Sequence, residues 1–135
     1  MAHALGADGD GVVITQVVPD HDGETPAARA YREALAALQP APQPNANSFE
    51  GYAAARVLLE ALRASEGPLA RERVIDDLEA LGQFDIGLGM PLYLDAERHQ
   101  ASSVVWPSII WEGKVRFVSW RELVLTMKVA HHGQD

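Results

Sequence analysis

The sequence predicts an α/β fold: helices packed around a parallel-type sheet, closed by a C-terminal β-hairpin. Three observations carry that reading. A β-branched, almost continuously apolar run, G-V-V-I-T-Q-V-V-P at Gly11 to Pro19, suits a strand buried on both faces. Three amphipathic helical segments follow it. Two late extended runs, Ser103 to Trp111 and Lys114 to Ser119, flank Glu112-Gly113, a two-residue hairpin signal. A chain of 135 residues is long enough for one domain with a real core.

Composition narrows the function. An apolar fraction of 47% and a charged fraction of 22% are ordinary for a globular domain. The net charge is −8, and the lysines are only Lys114 and Lys128. Nucleic acid is therefore not expected as a partner, because phosphate binding needs clustered Lys and Arg. An anionic membrane surface is disfavoured for the same reason. No apolar run reaches the ~20 residues that span a bilayer, so no membrane insertion is expected. The N-terminus lacks the basic start and apolar stretch of a secretory signal peptide. With no cysteine, disulfides, thiolate metal sites and thiol nucleophiles are excluded.

Residues 1–10 read as a flexible acidic lead-in, with Met1 to His3 as a cloning scar. An EF-hand register placed on Asp8, Asp10 and Gly11 puts Gly6 and Val17 at ligand positions, so a calcium loop fails. Pro19 ends the first strand. Asp20, His21 and Asp22 follow in a loop, with no second histidine nearby to complete a metal site. Thr25-Pro26 is a helix start, a capping hydroxyl before a proline at the first helical position. The helix continues to Leu38, with Ala30, Tyr31, Ala34, Leu35 and Leu38 inward and Arg29, Arg32 and Glu33 outward. Residues 39–47, Q-P-A-P-Q-P-N-A-N, form a proline-rich connector.

The central segment is N-A-N-S-F-E-G-Y-A-A-A-R-V-L-L-E-A-L-R, Asn45 to Arg63. Ser48 is the expected N-cap, with Glu50 in the first turn, where the helix dipole favours a carboxylate. Tyr52, Ala55, Leu59 and Leu62, widened by Leu58 and Ala61, form the expected buried face. Glu66-Gly67-Pro68 is a turn. A further helix is expected from about Ala70 to Leu81, with Gly82 as its C-cap and Asp76, Asp77 and Glu79 on its solvated side. Phe84 to Gly89 and Leu92 to Leu94 are short extended pieces, and Asp95 to Gln100 is a charged turn. Residues 11–119 form the folded body. Trp120 to Ala130 is helical, and the end from His131 to Asp135 is expected to fray.

No catalytic constellation stands out. The nucleophile-elbow, zinc-protease and phosphate-loop patterns are absent. An acid–base cluster of Asp95, Glu97 and His99 is weighed against a solvated turn, and the turn is preferred. The expectation is a protein that is not an enzyme and carries no metal or cofactor.

The order of V-V-P, T-P-A-A-R-A-Y, S-F-E-G-Y-A-A-A-R-V-L-L-E-A-L, R-E-R-V-I-D-D-L-E-A-L, F-D-I-G and E-G-K-V-R-F-V resembles the C-terminal part of the type I periplasmic binding proteins of the leucine/isoleucine/valine-binding family. The stretch from Ser48 to Arg56 is the most specific piece. The similarity runs from about Gly11 to Val118 and accounts for only the last third or so of a family member. It implies a partial periplasmic-binding-protein lobe. It further implies a fragment of an extracytoplasmic protein, periplasmic or extracellular, that captures amino acids or related small molecules for an ABC transporter permease. In that family the loop before the Y-A-A helix reaches the ligand cleft, which puts Asn47, Ser48 and Phe49 forward, with Pro19 and Asp20 as weaker candidates. A ligand-sensing regulator of the same fold and a stand-alone self-associating module are the alternatives. The strands that hold a ligand's carboxylate and ammonium groups in the family have no counterpart here. Binding is therefore expected of the complete parent, and a sheet with open edges is expected to form a homodimer or higher oligomer.

Overall fold

The structure, a computed structural model, describes residues 6–66, 68 and 70–132. The expectations for Met1 to His3, Gly67 and residues 133–135 fall outside them. The elements are a 3-10 turn (Gly6–Gly9), β1 (Val13–Gln16), α1 (Pro26–Ala36), α2 (Ala46–Ala64), a second 3-10 turn (Arg71–Arg73), α3 (Val74–Glu79), β2 (Gly82–Phe84), β3 (Leu92–Leu94), β4 (Trp106–Trp111), β5 (Lys114–Phe117) and α4 (Trp120–His132). They divide into two compact units: Met1–Val17 with Val105–Asp135, and Val18–Val104. No helix among the described residues is long and apolar enough to cross a membrane.

The first unit is built on a three-stranded sheet of order β1-β4-β5. Both pairings are antiparallel, with Val13 opposite Ile109 and Ile110 opposite Val115. The parallel-type sheet is thus corrected, since every pairing among the described strands is antiparallel. β1 is also an edge strand of alternating exposure, not a strand buried on both faces. A continuous β-branched run satisfies an edge position as readily as a central one, because β-propensity measures fit to a pleated surface. The central strand is β4, where Ile109 and Ile110 are buried. Ser108 beside them is 0% exposed, and its hydroxyl donates to the Ile14 carbonyl at 3.0 Å and accepts from Gln16 Nε2 at 3.4 Å. The expected hairpin forms: Glu112 and Gly113 both take positive φ, as a type I′ turn requires. The lead-in is not loose at its C-terminal end. Gly11 donates to the Ile110 carbonyl at 2.9 Å, and Asp10 accepts from the Gly113 N–H at 3.3 Å.

The second unit has its own core of Val18, Ala27, Ala28, Tyr31, Phe49, Ala53, Ile86, Leu88 and Leu92. α1 begins as expected: Thr25 caps it, accepting from the Ala28 N–H at 3.2 Å, and Pro26 occupies the first turn. Its inward side is Ala27, Ala28 and Tyr31; Ala34 and Leu38 are exposed. Arg32 is not on a wet face, because its guanidinium donates to the carbonyls of His21 and Gly23 at 2.7 and 2.9 Å. The predicted helix over 70–81 is shorter, a 3-10 turn running into the six-residue α3. Ala80 is the C-cap, and Gly82 instead opens β2. Asp77 and Glu79 are paired rather than simply solvated, with Arg73 at 3.5 Å and His99 at 2.8 Å. β2 and β3 pair antiparallel, and β3 turns Leu92 and Leu94 inward.

Candidate functional site

The start of α2 is set by three side chains working together. Asn45, not Ser48, is the N-cap: it is extended, and its Oδ1 accepts from the Ser48 N–H at 3.0 Å. The helix therefore starts three residues earlier than expected, and Ser48 lies inside its first turn. Both residues are favoured cap types, and Asn45 wins because its backbone is fixed by the buried Tyr31 hydroxyl. That hydroxyl accepts from the Asn45 N–H at 3.1 Å and donates towards the Asn45 carbonyl at 3.2 Å. Ser48 Oγ completes the group, within hydrogen-bond reach of both the Tyr31 hydroxyl and the Asn45 carbonyl, so that the two hydroxyl protons are shared among three contacts. One phenol thus ties α1 to the entry of α2.

The candidate residues fall into different environments. Asn47 is exposed at the helix mouth. Ser48 is exposed as a residue, but its hydroxyl is engaged in the Tyr31–Asn45 group. Phe49 is 0% exposed, its ring 4.9 Å from Tyr31 and 6.4 Å from Tyr52 between centroids. It points inward and anchors the loop from beneath. Pro19 is buried, and Asp20 is half-buried, with its Oδ1 accepting from the Asp22 N–H at 2.9 Å. Glu50 does not lie in the first turn, which holds no acidic residue. The positive end of the α2 dipole is therefore not offset by a carboxylate of its own helix. Among the described residues, no hydrogen bond reaches the N–H groups of Ala46 and Asn47.

Along α2 the burial corrects the expected face. Phe49, Ala53 and Ala61 are inward, while Ala55, Leu58 and Leu59 are exposed. The helix is apolar on two sides, so periodicity alone does not choose between them. Arg56 lies along its flank, donating to the Tyr52 hydroxyl at 3.3 Å and lying 3.7 Å from Glu60. Those contacts, the Tyr52 hydrogen bond foremost, hold its guanidinium above its ordinary pKa.

Gly87, the last residue of F-D-I-G, supports the same core. Its carbonyl accepts from the Ala27 N–H at 2.9 Å, and its φ is +85°. A Cβ there would lie 3.0 Å from Ala27 N and from Pro26 Cβ. Only glycine both adopts that backbone and lets α1 approach so closely. Among the described residues no group of three or more His, Asp or Glu gathers as a metal site.

The family model described as "Periplasmic binding protein" matches residues 1–108. The chain belongs to the periplasmic binding protein family. Among solved structures of that type, it is similar to the crystal structure of a possible leucine/isoleucine/valine-binding protein from Rhodopirellula baltica SH 1. The identity is 42% and the TM-score 0.83, covering 90% of this chain and 33% of that one. It also shares its fold with a fatty acid ABC transporter substrate-binding protein from Thermomonospora curvata. There the identity is 21% and the TM-score 0.65, covering 79% of this chain and 29% of that one. The chain thus spans about a third of the length of either protein. No curated protein sequence matches it. The partial periplasmic-binding-protein lobe implied by the sequence is the fold observed.

Sequence reasoning missed the Tyr31–Asn45–Ser48 group. The signal was present as N-x-x-S at Asn45 to Ser48, two favoured cap residues one turn apart. What was not legible was the distant hydroxyl that selects between them.

Proposed function

We propose that the chain is part of an extracytoplasmic solute-binding protein that delivers amino acids or closely related molecules to an ABC transporter permease. The observation that carries this reading is the 42% identity over 90% of the chain with a possible leucine/isoleucine/valine-binding protein. In this reading the α2 mouth presents Asn47 and its free first-turn N–H groups to the anionic end of the solute. The missing acidic residue in that turn favours a carboxylate there. Ser48 contributes through the Tyr31-linked group, and Phe49 holds the loop in place from inside the core. The solute's other contacts belong to the complete two-lobed parent.

The test is solute binding by that parent, measured by calorimetry with branched-chain amino acids. Asn47→Ala is expected to weaken binding roughly five- to tenfold, the worth of one hydrogen bond. Unchanged affinity would remove Asn47 from the site; no binding of any amino acid would overturn the solute class. We propose further that the 135-residue chain alone self-associates through its open sheet edges, β1 and β5. Sedimentation as a monodisperse monomer would count against this.

A further inference from the structure

A concavity lies within the Val18–Val104 unit, away from the α2 mouth. It is lined by Ile75, Leu78 and Glu79 of α3, by Leu94 of β3, and by Asp95 and His99 of the turn that follows, and it encloses about 280 Å³. Its floor is aliphatic, and Leu94 there is buried. Its polar side chains are two carboxylates and one imidazole. Glu79 Oε1 lies 2.8 Å from His99 Nε2, tying the turn to α3. Glu79 is only 25% exposed, whereas His99 is 70% exposed, so the carboxylate is the more sheltered of the pair.

We propose that this cleft binds a small amphipathic cation, an organic amine whose apolar body rests on Ile75, Leu78 and Leu94 and whose ammonium meets Glu79 and Asp95. Size sets the first limit. At ~30 Å³ per water, the space holds about nine waters, which is a fragment-sized molecule and not a peptide. Charge sets the second. Of the nearby arginines, Arg73 reaches Asp77, and Arg98 lies over the Tyr93 ring, 5.7 Å from its centroid, with Asp95 in its field; neither lines the cleft. The lining itself therefore presents two carboxylates against one histidine, which favours a cation over an anion. Among the described residues no hydrogen bond reaches the second oxygen of Glu79, which is free to accept from an ammonium. Asp95 is held in shape by the N–H groups of Glu97 and Arg98, at 2.9 and 2.8 Å. The Tyr93 hydroxyl foremost, then these backbone N–H groups, hold that carboxyl below its ordinary pKa. The site is independent of solute capture at α2, and either reading can fail alone.

The experiment uses the 135-residue chain and three probes that share one phenylethyl or phenylmethyl body: phenethylamine, 2-phenylethanol and phenylacetate. Amide chemical shifts are followed up to about 10 mM, the range in which a fragment of this size binds. Phenethylamine is expected to shift the amides of α3 and of residues 94–99 saturably, 2-phenylethanol to bind at least fivefold more weakly, and phenylacetate not at all. Glu79→Gln keeps the shape and removes the charge; it should weaken the amine about tenfold and leave the alcohol unchanged. Ile75→Ser, at an exposed position that folding tolerates, should weaken both. Three outcomes overturn the proposal: no saturable shift, equal binding of all three probes, or an E79Q chain that binds the amine as tightly as before.

Discussion

The two units spend their apolar side chains differently. In Val18–Val104 an aromatic cluster is inside: Tyr31 and Phe49 are fully buried and meet ring to ring, with Tyr52 packed against them, while Tyr93 stays exposed. In the unit of β1, β4, β5 and α4, the large residues are mostly outside. Trp111 is 45% and Trp120 50% exposed, and of the α4 side chains only Leu123 is buried among those described. The Val18–Val104 unit is a core with loops attached, and its packing fixes the entry of α2. The sheet unit is a hydrogen-bonded ladder whose faces are largely open. The two units thus differ in what holds them: close-packed rings in one, backbone pairing around a few buried residues, Ser108, Ile109, Ile110 and Leu123, in the other.

Removing a large side chain from each unit tests that difference most directly. Phe49→Ala should destabilise the chain by about 3–5 kcal/mol, the cost of deleting a fully buried aromatic ring. Trp111→Ala removes a larger side chain from a half-open surface and should cost no more than about 0.5 kcal/mol. Chemical denaturation of both variants checks the pair. Similar losses would mean that the sheet unit is packed more tightly than its exposure implies. Glycines give the next contrast. Gly87→Ala meets the backbone of Ala27 at positive φ and should cost about 3 kcal/mol, the upper end for such strain. Gly113→Ala has open space around it, so it carries only the conformational cost of about 1 kcal/mol.

These contrasts also mark what the sequence could reveal. The Thr25-Pro26 start and the Glu112-Gly113 turn were legible because each rests on local chemistry: a capping hydroxyl beside a proline, and two residues suited to positive φ. The antiparallel sheet was not legible from Gly11 to Pro19. An apolar β-branched run states that a strand forms, and its partners are set by residues about ninety positions away. Ser48 failed as the cap for a related reason, since Tyr31, fourteen residues before Asn45, decides which polar side chain takes that place. The leucines of α2 were assigned inward on periodicity, but alanines and Phe49 allow closer approach to α1, so Leu58 and Leu59 were left outside. At the candidate site, Asn47 was identified by family likeness alone, and nothing in its local pattern distinguishes it from an ordinary first-turn residue.

Hydroxyl deletions make a finer comparison. Tyr31→Phe removes the link to Asn45 and Ser48 and should cost about 1 kcal/mol, the net worth of the hydrogen bonding lost to exposed partners. Its signature beyond stability is a loosened α2 entry, read as faster amide exchange at Ser48 and Phe49. Ser108→Ala removes two hydrogen bonds from the sheet unit and should cost about 1 kcal/mol, with faster exchange confined to β1 and β4. Exchange that spreads across the wrong unit in either variant would show that the two cores do not open separately.

The smallest expected effect is electrostatic and again has one member in each unit. At the start of α4, Glu122 accepts from the Ser119 N–H at 2.7 Å while Ser119 Oγ accepts from the Glu122 N–H at 3.2 Å, a reciprocal capping box. The Ser119 backbone, then its side chain, lowers the Glu122 pKa below its ordinary value of 4.5. In the other unit the Tyr93 hydroxyl, followed by the backbone of Glu97, lowers Asp95. A carboxyl whose folded pKa is depressed contributes stability above its unfolded pKa and loses it as pH falls through the folded one. Both contributions should therefore be intact at neutral pH and disappear only in acid, below the ordinary carboxylate range. Side-chain carboxyl NMR across an acid titration separates them. Ser119→Ala should return Glu122 towards its ordinary value and leave Asp95 where it is. If Asp95 moved as well, the local hydrogen bonds would not be the cause, and a field shared by both units would have to replace them.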